Sequence, residues 1–171
     1  MVEQPLEYEL GQLLAESGAW LATAESCTGG LLSHRITNVP GSSAYFRGGV
    51  VAYANLAKSE LLGVKSETLE HHGAVSQETV LEMGRGVCRL MAADIGVAIS
   101  GIAGPGGGTA EKPVGLVWIA LAAGNYEKAQ RYLFGGDRLA VKEQSADAAL
   151  RMLVDSLRSS FKRAETNLHS T

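Results

Sequence analysis

Three apolar, strand-like runs in this chain each end in a glycine-rich turn, and that recurrence constrains the fold more than any other feature. Trp20-Leu21-Ala22-Thr23-Ala24 runs into Ala24-Glu25-Ser26-Cys27-Thr28-Gly29-Gly30. Ile95-Gly96-Val97-Ala98-Ile99-Ser100 runs into Gly101-Ile102-Ala103-Gly104-Pro105-Gly106-Gly107-Gly108-Thr109, and Lys128 to Phe134 into Gly135-Gly136-Asp137-Arg138. In open α/β sheets ligands bind in the crevice beyond the strand ends, where glycine leaves backbone bare for close approach. The first turn opens a helix with Leu31, Leu32 and Ile36 as its buried stripe, stopping before Asn38-Val39-Pro40-Gly41. A helix start presents unpaired N–H groups and partial positive charge, which suits a phosphate or an oxyanion. An ordinary Ser/Thr-capped helix would use the same residues, and one short glycine motif does not separate the two readings.

The rest of the pattern alternates helix and strand. Leu6, Leu10, Leu13 and Leu14 mark an opening helix up to Gly18. Gly48 to Ala54 reads as a strand, followed by a short helix around Leu56 to Leu62 that closes at Gly63. Ser76 is a natural cap for a longer helix with Val80, Met83, Val87, Leu90 and Met91 as its stripe. Val114 to Ala122 and Lys128 to Phe134, joined by Ala123-Gly124-Asn125-Tyr126-Glu127, suit an antiparallel hairpin. Asp137 caps a last helix from Arg138 to about Ser159, and a polar tail over 162–171 is expected to fray. Five strands with helices before, between and after them predict an α/β fold: a three-layer α/β/α sandwich on a mixed, mostly parallel five-stranded sheet. At 171 residues, one domain spanning 1–171 is expected.

Composition narrows the partners. A net charge of −3 with 19% charged residues carries no basic footprint, so direct nucleic-acid binding is disfavoured. No apolar run reaches membrane-spanning length, and Met1-Val2-Glu3-Gln4-Pro5 is unlike a targeting peptide, so no membrane association and a cytoplasmic location are expected. The two cysteines, Cys27 and Cys88, lie outside any CxxC or Cys/His cluster, which indicates neither a disulfide framework nor a structural metal. His71 and His72 fall in a polar connection before Gly73 without ligand spacing, and read as surface residues. Arg138 opposes the helix dipole, which calls for an anionic partner: a bound phosphate or carboxylate, or a surface acid. Taken singly, Tyr53 reads as a rim aromatic, Lys58 as an exposed helix lysine, and Ser42 and Ser43 as turn residues. Glu25 either supports a site or fixes the turn backbone.

Taken together and in order, Ala24-Glu25-Ser26-Cys27-Thr28-Gly29-Gly30, Pro40-Gly41-Ser42-Ser43-Ala44-Tyr45-Phe46, Gly73-Ala74-Val75-Ser76, Ser100-Gly101-Ile102-Ala103-Gly104-Pro105 with Glu111-Lys112-Pro113-Val114-Gly115, and Gly136-Asp137-Arg138 resemble the CinA C-terminal domain family. That family includes the nicotinamide mononucleotide deamidases called PncC. The resemblance runs from about Leu10 to Leu157 and implies a three-layer sandwich with a mixed five-stranded sheet. In many relatives this domain lies behind a second, N-terminal one, whose activities are not carried over. The implied reaction is hydrolysis of the carboxamide of nicotinamide mononucleotide to nicotinate mononucleotide and ammonia, in pyridine nucleotide recycling.

The resemblance implies a serine/lysine amidase, with Ser26 and Lys58 at the matching positions and Tyr53, Ser43 and Arg138 around the substrate. Ser26 would attack the amide, backbone N–H groups near Thr28 and Gly29 would hold the oxyanion, and Lys58 would protonate the departing ammonia. Tyr53 would orient Lys58 or the amide. Thr28, Gly29, Gly30, Ser43, Gly101, Gly104 and Arg138 are the expected substrate contacts, Arg138 and the glycine loop taking the phosphate or ribose. The scheme needs no metal and no cofactor; a small-molecule nucleotide is the expected partner and a homo-oligomer, dimer or higher, the expected assembly. Three alternatives stay open: Ser43 or Cys27 as nucleophile, a nucleotide-binding module that breaks no bond, and an interaction module tied to competence or DNA damage.

Overall fold

Side-chain size, alternating along the strands, sorts the molecule into layers. The computed structural model describes residues 4–168. Its elements are α1 (Leu6–Ser17), β1 (Leu21–Glu25), α2 (Leu31–Thr37), a 3-10 turn at Ser42–Ala44, β2 (Phe46–Val51), α3 (Asn55–Leu62), α4 (Ser66–His72), α5 (Gln77–Met91), β3 (Ile95–Gly101), β4 (Leu116–Ala123), β5 (Tyr126–Leu133) and α6 (Arg138–Leu168). The sheet order is β2-β1-β3-β4-β5. β1 pairs in parallel with β2 and β3, while β4 is antiparallel to both β3 and β5, so β4 alone runs against the other four. This is the mixed, mostly parallel sheet of a three-layer α/β/α sandwich.

Leu21, Val97, Ile99, Val117, Ile119 and Leu121 pack into one core with residues of α1, α2 and α6. Ala22, Ala24, Ala98 and Ala120 alternate with them and meet Val80, Met83 and Val87 of α5 on the other face. Because β1, β3 and β4 present alanines at the centre of that face, α5 lies close to the sheet. A Cβ on Gly96 would stand 2.3 Å from the Gly84 carbonyl oxygen. Two residues further along α5, a Cβ on Gly86 would stand 1.9 Å from the Leu62 carbonyl oxygen, so α5 also seats the end of α3. On the opposite layer Arg35 of α2 ties three helices together, bonding Glu7 of α1 at 2.9 Å and Asp147 of α6 at 2.6 Å.

The expected elements recur with differences at their ends: β4 begins at Leu116 rather than Val114 and β5 at Tyr126 rather than Lys128, which leaves Gly124-Asn125 as the hairpin turn. β1 begins at Leu21, because Trp20 is held by the neighbouring loop through its N–H to Asp94 (2.8 Å). β2 begins at Phe46 rather than at Gly48. α4 was not expected: its seven residues, Ser66 to His72, offer one buried side chain, Thr68, and hence no periodic stripe to read. His71 and His72 therefore sit exposed on the last turn of a helix rather than in a connection. α6 continues past Ser159 to Leu168 because 160–168 contains neither glycine nor proline to stop it; the remainder of the 162–171 tail lies outside the described residues.

Gly86→Ala is expected to cost about 1–3 kcal/mol of stability through the clash with Leu62, read by urea unfolding. Gly135→Ala, where an added Cβ meets nothing within 4 Å, is the control expected to unfold like the parent.

Candidate active site

Period-two alternation sends the last residues of β1 to opposite layers, and the site follows from it. Glu25 turns toward α2 and is fully buried. Its carboxylate accepts from the N–H groups of Gly30 (3.1 Å), Leu32 (3.0 Å) and Ser33 (2.8 Å) and from the Ser33 hydroxyl (2.6 Å). Thr23 and Ser33 share a further hydroxyl bond at 2.7 Å. The start of α2 thus has its anion already, supplied from within the chain. That corrects the expectation of an external phosphate there: the Gly30 N–H is spent on Glu25, and the Gly29 N–H donates to the Ser26 carbonyl at 3.1 Å. Among the described residues the N–H groups of Cys27 and Thr28 have no backbone acceptor, and the Cys27 N–H faces its own thiol.

Ser26 turns toward α3, where it meets Lys58. Lys58 and Leu62, one helical turn apart, are the buried face of α3, while Leu56 and Leu61 are exposed. Lys58 is only 1% exposed, and its Nζ donates to the carbonyls of Ala52 (2.9 Å) and Tyr53 (3.4 Å) and lies 3.1 Å from Ser26 Oγ. Burial pulls its pKa below the usual 10.5 by penalising the ammonium. The same burial acts oppositely on the adjacent thiol: Cys27 is pushed up to about 11, despite opposing influence from Lys58 and Lys142. A thiol so buried keeps its proton at neutral pH, although Cys27 also lines the cavity described next.

Ser26 and Lys58 open into a cavity of about 280 Å³ at the C-terminal ends of β1 and β3. Tyr53, Gly101, Gly104 and Arg138 line it too, as do Gly106 and Gly107 of the same glycine loop and Asn55, which the sequence reading had not selected. Asn55 carried a faint signal, a polar residue opening a helix directly after a strand. Tyr53 touches Lys58 through its carbonyl, while its exposed hydroxyl accepts from Arg138 (2.8 Å). Arg138 also donates to the Gly104 carbonyl (2.8 Å), so its partners are neutral oxygens rather than a surface carboxylate. Gly101 and Gly104 are bare for packing: a Cβ would meet Val117 and Val114, each at 2.6 Å, whereas Gly106 faces open space.

Four expected contacts lie outside the cavity lining. Thr28, Gly29 and Gly30 form the turn behind Ser26, with the Thr28 hydroxyl buried and without a partner among the described residues. Ser43 lies in the exposed 3-10 turn before β2, separated from the cavity by that strand's length, roughly 20 Å for six residues. Among the described residues no cluster of three or more His, Cys, Asp or Glu is placed to hold a metal, and no helix is long and apolar enough to cross a membrane.

Against known families, residues 3–157 match the model of the CinA C-terminal domain. The chain is 49% identical over 162 residues to a CinA-like protein of Chloroherpeton thalassium, covering 92% of this chain and 39% of that one. It is 50% identical over 149 residues to the nicotinamide-nucleotide amidohydrolase PncC of Escherichia coli K12, covering 86% of this chain and 90% of the relative. It thus spans about two fifths of the first relative and nearly all of the second. A crystal structure of a competence-damaged protein (CinA) superfamily member from Klebsiella pneumoniae superposes with a TM-score of 0.87 at 40% identity, covering 90% of this chain and 96% of that one.

Because the folded Lys58 titrates below 10.5, the unfolded chain binds more protons between the two values, and stability rises with pH through that window. Lys58→Met is expected to flatten this rise in urea unfolding between pH 7 and 10 and to leave the fold intact at neutral pH. An unchanged slope in the variant would assign the pH dependence to another group.

Proposed function

The chain belongs to the CinA C-terminal domain family, whose members include amidohydrolases of pyridine-nucleotide metabolism, and we propose that it hydrolyses the carboxamide of nicotinamide mononucleotide to nicotinate mononucleotide and ammonia. The observation that carries this reading is the 3.1 Å contact between a buried lysine amine and Ser26 Oγ at the mouth of a cavity. A serine hydroxyl is a poor nucleophile until a neighbouring base takes its proton, and a lysine serves as that base only when burial depresses its pKa.

A neutral lysine amine has two N–H donors and one lone pair. With the donors taken by the Ala52 and Tyr53 carbonyls, the lone pair is left for the Ser26 hydroxyl. Oγ attacks the amide carbon as its proton passes to Nζ. The N–H groups of Cys27 and Thr28, directly after the nucleophile, are the donors available to the oxyanion. Collapse of the tetrahedral adduct breaks the C–N bond, and the Lys58 ammonium returns its proton to the leaving nitrogen, releasing ammonia. Water, deprotonated by the same amine, then cleaves the acyl-serine to carboxylate and free Ser26.

Ammonia release from nicotinamide mononucleotide by the purified chain is the first test. Ser26→Ala is expected to lower kcat by about a thousandfold or more, and Cys27→Ala to retain most activity. Lys58→Arg is expected to be as damaging as Lys58→Ala, since a guanidinium stays protonated. In the parent, kcat/KM should rise with pH along a limb centred below 10.5, as Lys58 loses its proton. An active Ser26→Ala protein, or loss of turnover in Ser43→Ala alone, would overturn the assignment.

A further inference from the structure

The two edges of the sheet are built differently. β2 spans six residues, carries Gly48-Gly49 and shifts its register against β1 between Leu21 and Ala22, an irregularity that turns an edge away from further pairing. β5, on the opposite edge, runs eight residues without proline, glycine or a register shift against β4. Two bonds at the start of β4 fix which of its backbone groups face outward. The Phe134 N–H donates to the Gly115 carbonyl (2.9 Å), so Gly115 turns its carbonyl to β5, and the Ile102 N–H donates to the Leu116 carbonyl (2.8 Å), so Leu116 turns its carbonyl to β3. Backbone direction alternates along an antiparallel ladder. Lys128, Gln130 and Tyr132 therefore spend their N–H and C=O groups on β4, while Glu127, Ala129, Arg131 and Leu133 aim theirs away from the sheet, without a backbone partner among the described residues. Glu127, Lys128, Gln130 and Arg131 are all exposed, so no other part of the described chain covers this edge.

We propose that the β5 edge docks a second copy of this chain, the two β5 strands pairing antiparallel about a two-fold axis at Ala129 and joining both sheets into one. Only residues with outward N–H and C=O groups can exchange bonds, so the register must set 127, 129, 131 and 133 against one another. Centred on Ala129, Glu127 stands opposite Arg131 of the second copy on both sides of the axis, and Tyr126 opposite Tyr132, which already stacks on Phe134 with ring centroids 5.2 Å apart. Glu127 accepts from a single nitrogen of Arg85 (2.9 and 3.0 Å), which leaves lone pairs for a second guanidinium, and Arg131 has no ion-pair partner among the described residues. The other symmetric registers fail on charge. Centring on Glu127, Lys128 or Arg131 sets that residue against its own copy, and centring on Gln130 leaves Glu127 opposite Leu133. A strand of another protein would require no such self-complementarity, which is why a second copy is the occupant. β1, β3 and β5 run in one direction, so the axis puts the two cavities at opposite ends of the joined sheet, each complete in its own chain. The proposal is therefore independent of the amidohydrolase reading.

Sedimentation of the purified chain tests it. The parent is expected to sediment with twice the chain mass. Arg131→Glu and Glu127→Arg each replace two opposite-charge pairs by two like-charge pairs and are each expected to weaken self-association about tenfold or more. Mixing these two variants restores opposite charges at both positions, and the mixture should pair again, which also shows that both are folded. Ala129→Pro removes an N–H that faces outward and hence no bond within the chain, and is expected to yield a monomer with the parent's circular dichroism. A dimer that survives both Arg131→Glu and Ala129→Pro, or a failure of the two charge variants to pair on mixing, would overturn the proposal. So would a parent that stays monomeric up to millimolar concentration, an outcome that would leave the edge to a strand of another protein.

Discussion

A buried carboxylate fixes the geometry on which the site depends. Glu25 ends β1, and its two oxygens gather three N–H groups and one hydroxyl from the beginning of α2. A carboxylate without solvent contact is costly unless its acceptor sites are filled, and here the helix start fills them while gaining a counter-charge for its dipole. The turn between the two elements is thereby closed at both ends. Ser26, the first residue of that turn, cannot drift without breaking the bonds made by its neighbour. The Ser26 N–H is itself anchored to the Ile99 carbonyl of β3 at 2.9 Å, so the turn is held from the sheet as well.

Two adjacent side chains with similar intrinsic promise acquire opposite fates from this arrangement. In water the thiol of Cys27 ionises far more readily than the hydroxyl of Ser26. The turn places the thiol in the core shared by α1, α2 and α6, where burial keeps its proton on, and places the hydroxyl against an amine whose pKa burial lowers. Low dielectric thus acts in opposite directions on the pKa values of the thiol and the amine.

Most of the architecture was legible because it rests on local signals. Gly18 and Gly63 end helices in the left-handed conformation, Ser76 accepts from the Thr79 N–H and Asp137 from the Ala140 N–H, as their positions in the sequence indicate. The turns after β1 and β3 do frame the cavity. What stayed hidden depends on tertiary contact. Lys58 breaks the usual rule of amphipathic helices, since α3 buries a lysine and exposes Leu56 and Leu61, and spacing alone could not have paired residues 26 and 58. The bareness of Gly101 and Gly104 pointed to a ligand, yet Val117 and Val114 require it. Glu25 was ambiguous because the bonds it makes belong to a helix whose exact placement no local pattern gives.

The methyl-lined face of the sheet has a further meaning. Its alanines and Gly96 let α5 settle against β3, and Gly86 hangs the end of α3 directly on α5. The depth of that contact therefore acts as a gauge for the reach of Lys58, whose fixed four-carbon stem must span from α3 to Ser26. A single added carbon at Gly86 or Gly96, each outside the cavity lining, would lift the whole stack and leave the amine short of its hydroxyl. The distance between Lys58 and Ser26 in this fold is set by the smallest residues, at positions outside the cavity they open into.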